Sequence, residues 1–145
     1  MVSQALAAGG LDAALACLND SVPHRYTAVY RFAGPLLHNV RLHDKLGRPR
    51  PDFLAVVPFT QSFCQFVARD KSFRTDDSAT DPRLHGHPYQ GVVVSYHSVP
   101  LLDADTGALW GTLSHFDMKR SPLSDAQFEL LEGAARLLPA ILGSL

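Results

Sequence analysis

The stretch from Val92 to Asp117 constrains this chain most, because it reads as one long β-hairpin. A run rich in β-branched residues enters a turn made of Asp103, Asp105, Thr106 and Gly107, and a second apolar run, Leu109 to Asp117, leaves it. Asp and Gly supply the backbone angles of a reversal, and β-branched and aromatic side chains suit a pleated, packed surface. The hairpin runs directly into a strongly apolar helical pattern. Phe128, Leu131, Ala135, Leu138, Leu142 and Leu145 step by three and four residues, with Leu130, Ala134, Leu137 and Ile141 as an adjacent stripe. Ser124 and Gln127 fit a capping box at its start, and Pro139 is expected to bend it or change the role of its last turn. Two stripes make an arc wider than one sheet needs, so part of this helix is expected to face a second subunit.

The rest of the chain supplies partners for that hairpin. Leu11, Ala14, Leu15 and Leu18 keep helical spacing near the N-terminus. Arg25–Phe32 alternates as a strand, Gly34-Pro35 turns it, and Leu36–Leu42 returns. Phe59, Phe63, Phe66 and Val67 stand at i, i+4, i+7 and i+8, which predicts a short amphipathic helix over 60–69. Lys71–Asp77 holds a short edge strand, and Ser78–Gln90, with Pro82, Gly86 and Pro88, reads as loop or broken helix. The fold class expected is α+β, an α/β sandwich in one domain over 1–145. A central antiparallel sheet of about six strands carries the N- and C-terminal helices on one face and a pocket-forming helix and loop layer on the other.

Charge and cysteine usage narrow the function. Thirteen basic residues nearly balance fourteen acidic ones, for a formal net charge of −1. Arg41, Lys45, Arg48 and Arg50 form one basic cluster around a Gly/Pro loop, which reads as solvated loop and not as a nucleic-acid footprint. No run approaches the roughly 20 apolar residues that span a bilayer. The N-terminus lacks a basic start and is read as a helix of the domain. With two cysteines, Cys17 and Cys64, in separate predicted helices, a disulfide framework is not expected, and a reducing cytoplasm is the default.

SFCQFV at 62–67, DPR at 81–83, SYHSVPL at 95–101, TGALWGTLSHFD at 106–117 and SPLSDAQFELLEGAA at 121–135 together resemble a stand-alone bacterial GAF domain. The resemblance covers about residues 3–143 and implies the sheet and flanking helices described above. It also implies a small-molecule pocket on the far face and a homodimer through the terminal helices. Departures from the family's patterns are informative. The Asn-Lys-x-Phe-Asp-Glu type signature of cyclic-nucleotide-binding members is not found. Cys64 is followed by Gln65 where bilin-binding members carry a Cys-His pair. Reductases of free methionine sulfoxide use several pocket cysteines, and only Cys64 is well placed here.

The candidate ligand-binding residues are Phe63, Cys64, Asp76, His87, Ser95, His97 and His115. Within strand 92–99, Ser95 and His97 make one face the more polar, and that face is taken as the pocket wall. Tyr96, Trp110, Phe116 and Phe66 are further pocket-lining candidates, and Asp76 and Arg83 could orient a polar ligand. His85, His87, His97 and His115 with Asp76, Asp77 and Asp81 are of metal-ligand type, against a reading as loop and surface side chains. Cys64 near a helix N-terminus is either a redox-sensing thiol or a small buried hydrophobe. A hydrolase triad can be assembled on paper from Ser95, His115 and Asp117, but no nucleophile elbow or glycine-lined oxyanion hole accompanies it. No cofactor is identified by these residues. The expected function is a cytoplasmic sensory protein that binds an unidentified small molecule and signals to a partner. The alternatives are a thiol redox sensor or reductase at Cys64, and a ligand-free interaction module.

Overall fold

The computed structural model describes residues 2–59 and 62–139. Helix α1 (Val2–Asp20) is followed by the hairpin β1 (Tyr26–Ala33) and β2 (Leu36–Asp44), then β3 (Val56–Pro58), α2 (Cys64–Asp70) and β4 (Phe73–Thr75). The long hairpin is β5 (Ser95–Leu102) and β6 (Leu109–Asp117), and α3 (Asp125–Leu137) ends the described chain. The strands form one antiparallel sheet in the order β3-β2-β1-β6-β5-β4. The first and last hairpins therefore lie side by side at its centre. Thr60 and Gln61 of the expected 60–69 helix, and Ile141, Leu142 and Leu145 of the last helix's stripes, lie outside the described residues.

Strand alternation splits the sheet into two cores, because successive side chains point to opposite faces. Val29, Val99, Leu101 and Leu113 pack under α1 and α3, with Leu11, Leu15 and Leu18 from one helix and Phe128, Leu131 and Ala135 from the other. Tyr26, Ala28, Tyr30, Tyr96 and Phe116 face the opposite way, against α2 and the irregular segments between β2 and β5. Cys17 on α1 and Cys64 on α2 are thus on opposite sides of the sheet, both as free thiols.

The caps follow from local chemistry. Ser124 Oγ accepts from the Gln127 amide at 3.1 Å and Gln127 Oε1 accepts from the Ser124 amide at 3.1 Å, the capping box expected, which contributes about 1 kcal/mol. Gln127 Nε2 also donates to the Ser21 carbonyl at 2.6 Å, tying the start of α3 to the exit of α1. α3 stops at Leu137, just ahead of Pro139, whose ring leaves no amide proton to continue the ladder. The described members of its first stripe, Phe128, Leu131, Ala135 and Leu138, are buried, whereas those of the second divide: Ala134 is buried, and Leu130 and Leu137 are exposed. α1 is broken at Gly10, whose φ of 73° only glycine adopts without strain.

The start of the long hairpin differs from the periodicity reading, and the crossover before it has the broken character expected. The hairpin's first strand begins at Ser95, because Gly91–Val94 are held in a turn by bonds from the Val92 amide to the Tyr89 carbonyl (3.0 Å) and from Ser78 Oγ to the Val93 carbonyl (2.7 Å). The Ser78–Gln90 crossover carries two short 3-10 turns, Ser78–Thr80 and Pro82–Leu84. They are capped by Asp77, which accepts from Ala79, and by Asp81, which accepts from Arg83.

Candidate functional site

On the α2 side of the sheet lies a cavity of about 50 Å³. Its floor is Tyr30, Leu37, Tyr96 and Phe116 from the sheet; its roof is Phe53, Leu54, Val57, Ser62, Phe63, Cys64, Tyr89 and Val93 from the irregular layer. Phe53 lines the cavity and is also 41% exposed, which marks where it reaches the surface, beside the Tyr89 ring 6.2 Å away.

Four of the polar side chains on this wall, Tyr30, Ser62, Cys64 and Tyr96, are already engaged. Tyr30 Oη donates to the Leu54 carbonyl at 2.6 Å, and Ser62 Oγ donates to the Phe59 carbonyl at 2.8 Å. Tyr96 Oη shares a hydrogen bond with Cys64 Sγ at 3.0 Å and accepts from Ser114 Oγ at 3.3 Å, while Thr112 Oγ1 lies 3.4 Å from the sulfur. Burial pushes the Tyr30 and Tyr96 hydroxyls and the Cys64 thiol above their ordinary pKa values. Of the two sequence readings of Cys64, burial matches the small buried hydrophobe: desolvation outweighs whatever the first turn of a seven-residue helix supplies.

The seven expected site residues divide between three places. Phe63 and Cys64 line the cavity. His87 packs behind Phe63, ring centroids 4.6 Å apart, outside the cavity wall; its Nδ1 accepts from the Tyr89 amide at 3.1 Å. Ser95, His97 and His115 are not beside the cavity. They share the face of Val99 and Leu113, turned toward the terminal helices, so the choice of the Ser95–His97 face as pocket wall is corrected. Asp76, 49% exposed, reaches the edge of that helix-side layer, with Oδ1 at 3.3 Å from His97 Nε2. Tyr96 and Phe116 do line the cavity, Phe66 stacks on Phe73 next to it, and Trp110 packs with the helix-side core, under the Arg31 guanidinium. Arg83 forms a surface pair with Asp81, Nη2 to Oδ2 at 2.6 Å.

Beneath the helices the histidines form a buried polar layer. His97 and His115 are directly opposite in the hairpin register, and the His24 ring stands 5.1 Å from His97 and 6.0 Å from His115. All three are fully buried. Asn19 Nδ2 donates to Thr27 Oγ1 at 2.9 Å, and the threonine hydroxyl shares a hydrogen bond with His115 Nδ1 at 2.6 Å. Burial lowers all three histidine pKa values, those of His97 and His115 to about 3 with neighbouring imidazoles adding to the effect. Among the described residues no group of His, Cys, Asp and Glu is arranged to hold a metal ion. The Ser95, His115, Asp117 set is not wired as a triad. His115 Nδ1 is bonded to Thr27, and Asp117 accepts from the Arg25 and Met118 amides.

Sequence reasoning missed Tyr30 and Leu37 on the sheet and, in the roof, Phe53, Leu54, Val57, Ser62, Tyr89 and Val93. The signal for the roof was weakest, because its residues lie in short or irregular segments that show no period.

The profile of the GAF domain family matches residues 8–141, over nine-tenths of the chain. The chain belongs to the GAF domain family. GAF is a ligand-binding and sensory fold. No curated protein sequence matches the chain. Solved structures agree on the fold. The GAF domain of an Acinetobacter phosphoenolpyruvate-protein phosphotransferase has a TM-score of 0.76 at 12% identity, over 99% of this chain and 89% of that one. A Neisseria meningitidis free methionine-R-sulfoxide reductase, in complex with its substrate, has a TM-score of 0.74 at 16% identity, over 96% and 82%. The chromophore-binding domain of a bacteriophytochrome from R. palustris has a TM-score of 0.73 at 15% identity, over 99% and 59%. Among the described residues no helix is long and apolar enough to cross a membrane.

Proposed function

We propose that this GAF domain is a sensory unit that takes a small molecule into the Cys64–Tyr96 cavity and passes its occupancy to a separate signalling protein in the cytoplasm. The observation that carries this reading is the cavity between the sheet and the layer of short and irregular segments. Concave, mainly apolar sites of this kind are where small molecules bind. β5 and β6 give the signal a physical route: Tyr96 and Phe116 wall the cavity, and the alternate residues Val99, Leu101 and Leu113 carry α1 and α3. A ligand that favours one setting of the irregular layer biases the helices through the shared strands, provided it binds the two settings differently.

The test is a ligand-observed NMR screen of small molecules against two variants. Val57→Phe fills the cavity and is expected to abolish binding, while Ser95→Ala on the opposite face leaves affinity unchanged. The reverse pattern would move the site to the helix side.

A second copy of the chain is the expected partner of α3. Leu130 at 51% and Leu137 at 42% exposure support this, since exposed leucines two turns apart on one helix form an apolar strip. Analytical ultracentrifugation is expected to show a dimer that Leu130→Asp plus Leu137→Asp converts to monomer. An unchanged sedimentation coefficient in that variant would place the interface elsewhere.

A thiol function at Cys64 is favoured by one observation, that its sulfur lines the cavity. Burial and the raised pKa leave little thiolate to react at neutral pH. A Cys64→Ser variant that loses the response to oxidant while keeping ligand affinity would establish that function.

A further inference from the structure

We infer that the cavity's ligand is a small, uncharged, apolar molecule of a few heavy atoms, admitted past Phe53 and Tyr89. This deepens the binding reading above and rests on it.

The wall presents no charged side chain, and most of its polar groups are bonded within the protein: Tyr30 to the Leu54 carbonyl, Ser62 to the Phe59 carbonyl, Tyr96 and Cys64 to each other. His87 packs against Phe63 without lining the cavity, with Nδ1 taken by the Tyr89 amide. A zwitterion, phosphate or carboxylate entering this space would shed its hydration and find no counter-charge on the wall, an unfavourable exchange. An apolar molecule sheds only structured water and gains dispersion contacts with aromatic and aliphatic walls.

Volume sets the upper size. A water needs about 10–15 Å³, and an engineered apolar cavity of about 150 Å³ takes benzene, so about 50 Å³ suits a molecule well below benzene in size. The entrance agrees with the interior. Phe53, at 41% exposure, puts apolar surface at the mouth, where an uncharged solute is first desolvated.

The experiment follows methyl resonances of the full chain by NMR, with xenon as an apolar probe and methionine sulfoxide as a zwitterionic one. Saturable xenon shifts at Val57, Val93 and Leu54, lost in Val93→Phe, with methionine sulfoxide silent, are the expected result. Methionine sulfoxide shifts at those methyls without xenon shifts would overturn the apolar assignment and leave the cavity as the binding site. Silence from both probes in a folded protein would overturn both. Xenon shifts that persist unchanged in Val93→Phe would place the apolar site elsewhere and overturn the inference. A Val57→Phe variant repeats the comparison should Val93→Phe fail to fold.

Discussion

Acidification from pH 7.5 to 5 is expected to remove about 4 kcal/mol of folding stability through His97 and His115 alone. Their folded pKa values of about 3 lie far below the ordinary 6.5. The sign follows from which state binds protons. Below 6.5 the unfolded chain protonates these imidazoles, while the folded chain keeps them neutral. A depressed histidine pKa therefore supports the fold fully above 6.5 and loses that support as pH falls toward the folded value. Each fully shifted group contributes about 1.4 kcal/mol per pH unit in that window. The charges facing the layer do not reverse this. Asp117 and Asp76 act to raise His24, and Lys45 acts to lower it, but burial is the larger effect on every one of the three. Against a typical stability of about 5–15 kcal/mol, this is a large fraction. Urea unfolding at pH 7.5, 6.5, 5.5 and 5 measures it. The pH slope should fall by about half in His97→Gln, and an equal slope in that variant would mean His97 is accessible to protons in the native state.

The second large effect is a single methyl group. Gly111 sits in β6 opposite Arg31, and a Cβ there would run into the Tyr30 carbonyl carbon and oxygen. Those atoms are backbone at the sheet centre, so no side chain can rotate away to make room. Gly111→Ala is expected to destabilise by about 3 kcal/mol, the upper part of the range for overpacking a filled interior. Thermal unfolding of the variant measures this. Gly107→Ala in the hairpin turn, where a Cβ meets nothing within 4 Å but φ is +72°, should cost only about 1 kcal/mol. A Gly111→Ala protein as stable as wild type would show that β1 and β6 separate further than this sheet allows.

The elements legible in the sequence were those with a period or a cap. The long hairpin, with Asp103 accepting from the Asp105 and Thr106 amides in its turn, follows from residue types alone. So do the Ser124–Gln127 box and the Tyr26–Leu42 region as a hairpin. Alternation in β5 correctly separates Ser95 and His97 from Tyr96 and Ser98, but does not say which set meets the helices. Polarity pointed the wrong way, because the polar set is buried under α1 and α3 and partly satisfied there by Asp76 and the Ser121 carbonyl, which lies 3.4 Å from His97 Nε2. His24, the third member of that layer, stands in a short connection with no pattern to announce it. The cavity roof was unreadable for the same reason. Phe53, Val57, Tyr89 and Val93 come from separate stretches too short to show a period and meet only once the sheet is assembled.

Diffraction from a crystal pressurised with xenon tests most directly where this domain takes its ligand. The account predicts one strong xenon site among Tyr30, Val57, Cys64 and Tyr96, absent from Val57→Phe crystals. Xenon seated instead in the His24–His97–His115 layer, or no site in a well-diffracting crystal, would contradict it.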